Sequence, residues 1–334
     1  MKKGFENNEG NEKSIDRELI KSMLGKTLDK VDLPQLGDLQ RGKVRDCYIK
    51  GEKRYLIVTD RVSAFDVVLG SIPIKGQVLN SISVFWFELT KDIAPNHVLD
   101  VPDPNVLVAE ECRPLPAEMV MRGYLTGSSE TSIWRAYERG DREFCGHVLP
   151  EGMKKHQKLE TPLLTPSTKA EQGDHDKSVS KEELLSMGNI TRKQFDEMEE
   201  YSKALFAFGQ KKAAEKGLIL VDTKYEFGIN SAGKIVLIDE VHTPDSSRYW
   251  YADDYGQRHE EGLDPRSLDK EFVRRYLREE KGFTGDGPAP ELPEDVVVEA
   301  AYRYLKLYGE VTGETLQPDT REPLSRLKAN LGVE

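Results

Sequence analysis

Two neighbouring segments carry side chains that could perform chemistry together: Val221-Asp222-Thr223-Lys224-Tyr225-Glu226-Phe227-Gly228 and Ile235-Val236-Leu237-Ile238-Asp239-Glu240. Side chains alternate across a strand, so Asp222, Lys224 and Glu226 fall on one face. Asn230-Ser231-Ala232-Gly233 predicts a hairpin turn that brings Asp239 alongside that face. Glu226 and Asp239 could bridge one hard cation, and Mg²⁺ suits oxygen ligands while also holding phosphates. Lys224 could neutralise phosphate oxygens. Such a stripe is either a solvated sheet face or the wall of a cleft. The apolar run Gly217–Val221 predicts a strand covered on both sides, which favours the cleft. Charges in a cleft demand a partner: a metal, a phosphate or a counter-ion.

Four further groups have the composition of ligand contacts. Arg41-Gly42-Lys43-Val44-Arg45-Asp46 lets a backbone approach closely at Gly42 and puts Lys43 and Arg45 on one face, which suits a polyphosphate. A plain exposed strand start would look the same. Thr59–Asp66 gathers acids, Arg61 and Ser63 at a strand end, as either a site or turn chemistry. Glu118–Ser128 runs from a mostly apolar strand through Arg122 into Thr126-Gly127-Ser128. Arg122 could grip a phosphate bidentately and Ser128 complete an anion site, or Ser128 could simply cap a helix. Thr165–Asp176 is dense in hydroxyls, Lys and acids, as in a lid or a solvated loop. Beyond the hairpin, Arg248 in Asp239–Arg248 could hold another anion. No P-loop, GxGxxG turn, zinc spacing or Ser/His/Asp arrangement is suggested.

These groups must be held by a soluble globular chain. Its 334 residues suffice for one large or two ordinary domains. A net charge of -11 argues against a nucleic-acid platform, though a local cationic cluster can still bind small anions. Cys47, Cys112 and Cys145 are dispersed, which implies a reducing compartment. With neither a signal core nor a membrane span, the expectation is cytoplasmic.

Residues 1–13 are expected to be disordered, and Ser14–Lys30 to hold a short amphipathic helix. Strand-like pieces at Lys43–Ile49, Arg54–Thr59 and Val67–Ile74 predict a meander. A helix is expected over Asn80–Ala94, then strands at Val106–Ala109 and Ala117–Arg122 joined by a Pro-containing interlobe link, Arg113–Pro116. Thr131–Glu138, Lys181–Met187, Arg192–Lys216, Asp269–Lys281 and Pro293–Gly309 are expected helices. Residues 150–180 read as a long loop and the last dozen as loose.

At this level the residues describe a Mg-nucleotide-type site with an additional anion pocket. Leu115–Arg122 with Thr126-Gly127-Ser128 resembles one signature of the SAICAR synthetase family (phosphoribosylaminoimidazole-succinocarboxamide synthase), and Val221–Gly228 resembles the other. Arg41–Asp46, Thr165–Asp176 and Asp239–Arg248 follow in family order, so the likeness spans roughly 39–315. The extended loop is similar to the long, yeast-like form.

The resemblance implies an α+β, two-lobed fold. An N-terminal, mostly antiparallel lobe (39–115) follows a polar arm (1–38). A second α/β lobe with C-terminal helices (116–334) completes it, with ATP in the cleft between. The implied activity is an ATP-dependent ligation of L-aspartate to carboxyaminoimidazole ribonucleotide (CAIR) through an acyl phosphate, with ATP and Mg²⁺. The protein would bind neither nucleic acid nor membrane and be a monomer or homo-oligomer. By motif position, Gly42, Lys43 and Arg45 would contact ATP phosphates, with Lys75 and Glu118 also at the nucleotide. Glu226 and Asp239 would hold Mg²⁺. Arg122, Ser128, Arg248 and Asp66 would bind substrate, and Asp222 and Lys224 would line the reaction centre. The first 38 residues have no clear family counterpart. A small-molecule kinase and a nucleotide-sensing module without turnover remain as alternatives.

Overall fold

The computed structural model describes residues 17–65, 67–129, 131–169, 177–267, 271–285 and 287–333. Asp66, most of the Thr165–Asp176 segment and the segment expected to be disordered lie outside the described residues. The first lobe is a five-stranded antiparallel sheet in the spatial order Asp38–Arg41, Arg45–Lys50, Lys53–Val58, Val106–Glu110, Val98–Asp103. Arg45 faces Val58 and Cys47 faces Leu56 across the ladder. Alternation therefore directs Arg45, Cys47, Leu56 and Val58 to one side, and Asp46, Tyr48 and Ile57 to the other.

That other side is covered by chain ends. Leu28, Val31, Leu33 and Leu36 from the N-terminal stretch pack with Tyr48, Ile57, Val106, Val108 and the C-terminal Leu327. Asp46, wholly buried, accepts from the Val31 N–H at 2.9 Å and pairs with Arg61 at 2.8 Å. The expected polar arm is thus part of the first lobe from Leu28 onward, while Ile20 and Met23 before it join the main core.

The second lobe is a six-stranded antiparallel sheet. At its centre, the long strand Leu218–Ile229 pairs on one side with Arg113–Tyr124. On its other side the partner changes: Ser247–Tyr251 accompanies the first half and Ile235–Ile238 the second. The change falls at Lys224–Glu226, and residues 239–246 leave the sheet there. The helix Arg192–Ala214 opens on a Thr191/Gln194 capping box and lays Phe195, Met198, Leu205 and Phe206 in the core that holds Tyr225 and Phe227. Tyr201 stacks on Phe227 at 6.2 Å. The helix Glu294–Thr312 packs on the helix Lys75–Thr90 and so ties the lobes together.

Several expectations change. Arg113–Pro116 is the start of the 12-residue strand Arg113–Tyr124, not a link. Proline is tolerated there because the opposing strand is bulged between Glu226 and Gly228. Val67–Ser71 leaves the meander and pairs with Arg61–Ala64; the meander's first strand is Asp38–Arg41 instead. Residues 150–180 contain Lys158–Leu164 and Ser167–Thr168, both paired with Arg113–Tyr124. Their edge position leaves mostly exposed side chains and hence little alternation to read. The supposedly loose end is the helix Pro323–Leu331, docked on the first lobe, not the second. Arg326 is fully buried in it, 2.9 Å from the equally buried Asp103, and donates to the Asp319 carbonyl at 3.1 Å. Among the described residues no helix is long and apolar enough to cross a membrane.

Two substitutions test this packing. Arg326→Ala leaves Asp103 buried without its partner and should lower unfolding free energy by about 3–5 kcal/mol in urea titrations. At Gly209, on the helix Arg192–Ala214, an added Cβ would lie 2.4 Å from His242 Cε1 and 2.8 Å from Leu220 Cδ2. Gly209→Ala should cost about 1–3 kcal/mol by the same measurement.

Candidate active site

The register of the central strand sorts the charged residues into rows on one face. Asp222 faces Arg122 on one side and Arg248 on the other. Lys224 faces Val120, and Glu226 faces Glu118. Ser167 joins the last row opposite Glu118. With a rise of about 3.3 Å per residue, the Asp222 row and the Glu226 row lie ~13 Å apart along the strand.

The Glu226 end is a continuous chain of opposite charges. Lys224 Nζ lies 2.9 Å from Glu118 and also donates to Glu226; Ser167 Oγ donates to the other Glu118 oxygen at 2.9 Å. Lys169 caps the second oxygen of Glu226. Burial opposes the charge on Lys224, but Glu226, Glu118 and Asp239 outweigh it and hold the ammonium pKa well above its usual range. Burial also opposes ionisation of Glu226 and Asp239, and the Asp239 charge further opposes that of Glu226. Lys224, Lys169 and, for Asp239, Arg45 reverse this and depress both carboxyls.

Asp239 terminates its strand with a left-handed φ of 70° and pairs with Arg45. Arg45 also reaches Glu240 at 2.8 Å. Arg45 belongs to the first sheet, so this fork joins the two lobes. Beneath it a space of about 10 Å³, lined also by Asn80 and Ser83, shows how tightly the seam is packed. The Asn80 amide nitrogen is buried there without a hydrogen-bond partner.

The other row is cationic. Asp222 pairs with Arg248, and Arg122 Nη1 lies 3.9 Å from it. Arg122 Nε donates to Thr165 Oγ1 at 2.8 Å. Two guanidiniums around one carboxylate leave this row with net positive charge, as an anion pocket requires. Ser128 is exposed beyond Gly127, whose φ of 120° and closeness to Ser132 leave no room for a Cβ.

The remaining expected residues are dispersed. Gly42 and Lys43 form the exposed turn of the first hairpin, and their carbonyls accept from Arg61 at 3.0 and 2.9 Å. Lys75 is wholly buried, 2.9 Å from Asp245, which also accepts from Tyr304 at 3.0 Å. It therefore anchors the 239–246 loop. For Thr59–Asp66 the structural reading holds over the described residues: Asp60 accepts the Leu28 and Gly76 N–H groups, each at 2.8 Å. Burial raises its carboxyl to about 6.

Thr165, Ser167, Lys169, Glu240 and Asp245 join these networks but were not singled out by sequence. All lie in the quoted runs Thr165–Asp176 and Asp239–Arg248, and only strand pairing separates them from solvated neighbours. Among the described residues no group of three or more His, Cys, Asp or Glu could hold a metal. Glu226 and Asp239 do fit a hard cation as a two-carboxylate, oxygen-donor pair whose other ligands would come from phosphate and water. A cavity of about 450 Å³ between Tyr201, Lys193 and the hairpin tip contains none of these residues.

A charged sheet face between two antiparallel lobes, backed by helices, defines the class as the SAICAR synthase-like α+β fold. The SAICAR-synthase from Saccharomyces cerevisiae complexed with SAICAR has this fold, with a TM-score of 0.74 at 30% identity over 87% of this chain and 100% of that one. The SAICAR synthetase family profile matches residues 38–289. The phosphoribosylaminoimidazole-succinocarboxamide synthase of Bacteroides fragilis is 49% identical over 313 residues, covering 92% of this chain and 98% of that protein. Its counterpart from Legionella pneumophila is 46% identical over 293 residues, covering 88% and 93%. The chain belongs to the SAICAR synthetase family. Both bacterial relatives are more similar in sequence than the yeast protein, so a specifically yeast-like subgroup is not distinguished. Coverage of 92% also means that part of the first 38 residues has a counterpart.

The depressed carboxyls set an acid limit. Their contribution to stability is fully present above their ordinary values of 4.5 and 3.8 and is lost as pH falls through the lower folded values. Arg45→Met removes the largest attraction acting on Asp239, so acid unfolding followed by circular dichroism should begin at higher pH than in the wild type.

Proposed function

We propose that this chain joins L-aspartate to the carboxylate of CAIR with cleavage of ATP to ADP and phosphate, giving SAICAR. The observation that carries this reading is the two-ended face: an arginine row suited to a ribonucleotide phosphate and, ~13 Å along the same strands, an acid–lysine row suited to a metal-held polyphosphate. A γ-phosphoryl group passes to a CAIR carboxylate oxygen and ADP departs. The aspartate amine then attacks the acyl carbon, the C–O bond breaks and phosphate leaves with the electron pair. Two easier steps replace one difficult amide formation.

The chain's contribution is positioning and charge. Arg122, Arg248 and Ser128 bind the 5′-phosphate of CAIR, with Asp222 holding both guanidiniums in place. Lys224 neutralises oxygens of the group in transfer, and Glu118 and Glu226 fix its ammonium in a preorganised position. Gly42 and Lys43 border the ATP phosphates; Arg45 contributes charge there while closing the lobes. Glu226 and Asp239 would hold Mg²⁺, which would supply further neutralisation of charge at the phosphates. Lys75 acts through Asp245, not by touching ATP. Three free cysteines and the absence of a candidate spanning helix among the described residues fit a cytoplasmic enzyme.

ADP release should require CAIR and aspartate together and yield the succinocarboxamide. A stable phosphorylated product formed without aspartate would indicate a kinase instead. Glu226→Gln should abolish turnover while retaining the wild-type circular dichroism spectrum; normal Mg²⁺-dependent turnover would remove Glu226 from the metal. Arg122→Ala should chiefly raise KM for CAIR, by about tenfold or more for loss of a charge-assisted contact. A change confined to ATP would reassign the residue to the nucleotide.

A further inference from the structure

The seam between the lobes contains a polar group that the charged face does not use. On the helix Lys75–Thr90, Asn80 and Ser83 lie one turn apart on the same side. They are 2% and 4% exposed. Ser83 Oγ accepts the Val241 N–H at 3.2 Å, so this helix grips the 239–246 loop two residues beyond Asp239. Asn80 Nδ2 is buried, and no described residue accepts a hydrogen bond from it. Leaving a buried amide in that state is costly, so such groups are nearly always paired with protein or with water.

Asn80 and Ser83 share the wall of the space of about 10 Å³ with Arg45 and Asp239, and the rest of that wall is aliphatic. Such a volume suits one water molecule and nothing larger. The neighbouring charges discriminate among small occupants. A cation would meet the Arg45 guanidinium and the Asn80 amide hydrogens, and an anion would meet the Asp239 carboxylate. Water satisfies both kinds of neighbour, because it accepts from Asn80 Nδ2 while donating to Asp239. The Ser83 hydroxyl hydrogen, which the Val241 contact does not use, supplies a third bond, and about three is usual for a buried water. Asp239 needs such support. Its φ of 70° is left-handed, and Arg45 holds only its Oδ1. One contact lets the carboxylate plane turn, whereas a second from the seam fixes it.

We propose that the seam binds one structural water that joins Asn80 and Ser83 to Asp239, which makes Asn80 a positioning residue for a carboxylate of the metal pair. The positioning role rests on the reading of Glu226 and Asp239 as that pair. Groups that orient a ligand without touching the ion typically account for about 10–100-fold in metal affinity. Asn80 thus acts across the seam: a helix that follows the first sheet sets the direction of an acid at the end of a second-lobe strand.

Two measurements test this. A high-resolution crystal structure of the full chain should show one ordered water within hydrogen-bond distance of Asn80, Ser83 and Asp239. A dry seam, or a direct bond from Asn80 to Asp239, would overturn the proposal, whether or not any variant folds. Calorimetric titration then gives the metal-linked gain in nucleotide binding, as Kd for ADP in EDTA divided by Kd for ADP in saturating Mg²⁺. Asn80→Val and Asn80→Thr have the same shape, and only threonine offers a hydroxyl to the water. Asn80→Val should lower the ratio about tenfold, with Kd in EDTA and KM for CAIR within about twofold of wild type. Asn80→Thr should bring the ratio back to within about threefold of wild type. An unchanged ratio in Asn80→Val, equal weakening with and without metal, or identical behaviour of the two variants would overturn the positioning role. Asp239→Asn separates the two claims. If it lowers the ratio while Asn80→Val does not, the positioning role alone falls. If it leaves the ratio unchanged, the metal assignment falls, and the positioning role with it.

Discussion

Lys224 held between Glu118 and Glu226 is the interaction around which the rest is arranged. An ammonium taken from water must be matched by carboxylates, and those carboxylates by further cations, so one buried charge propagates into a row. Lys169 and Ser167 complete it from the edge strands, and Arg45 completes it from the other lobe through Asp239. Remove the lysine and two acids face each other across the register Glu226 to Glu118. The network therefore serves both as the proposed catalytic charge array and as the reason these strands must stay aligned.

The sheet makes room for this array by changing partners. Ser247–Tyr251 and Ile235–Ile238 flank different halves of one strand, and the loop between them crosses where Lys224 sits. Its course is held by Lys75 at Asp245 and by His242, which is buried against Trp86 and bonded to the Tyr225 hydroxyl at 2.6 Å. Burial keeps His242 neutral, with its pKa lowered to about 3. The opposite face of the strand, Tyr225 and Phe227, belongs to the apolar core. Alternation of period two thus separates chemistry from packing within a few residues.

That alternation was legible in the sequence, as were the hairpin turn and the cleft-facing stripe. The turn bonds as expected, with the Gly233 N–H donating to Asn230 O at 2.9 Å and Gly233 at a φ of 75°. The resemblance supplied the roles and the family. Nothing local announced that Arg45 would cross to Asp239, since the partners are separated by 194 positions. Lys75 looked like a nucleotide contact because a lysine beside a glycine is ambiguous until its burial is known. The C-terminal helix was missed for a related reason: Arg326 reads as a surface residue, whereas here it is the buried centre of a polar cluster with Asp103 and Asn105. Edge strands such as Lys158–Leu164 escaped because most of their side chains are exposed, which leaves little alternation to read.

The most direct test of the account is transfer of oxygen from substrate to phosphate. With the CAIR carboxylate labelled with ¹⁸O, the acyl-phosphate route places one labelled oxygen in each phosphate released during turnover with ATP and aspartate. Mass spectrometry of that phosphate should show this single label. Unlabelled phosphate formed alongside succinocarboxamide would contradict phosphoryl transfer to the carboxylate, and with it the role assigned to the charged face around Lys224.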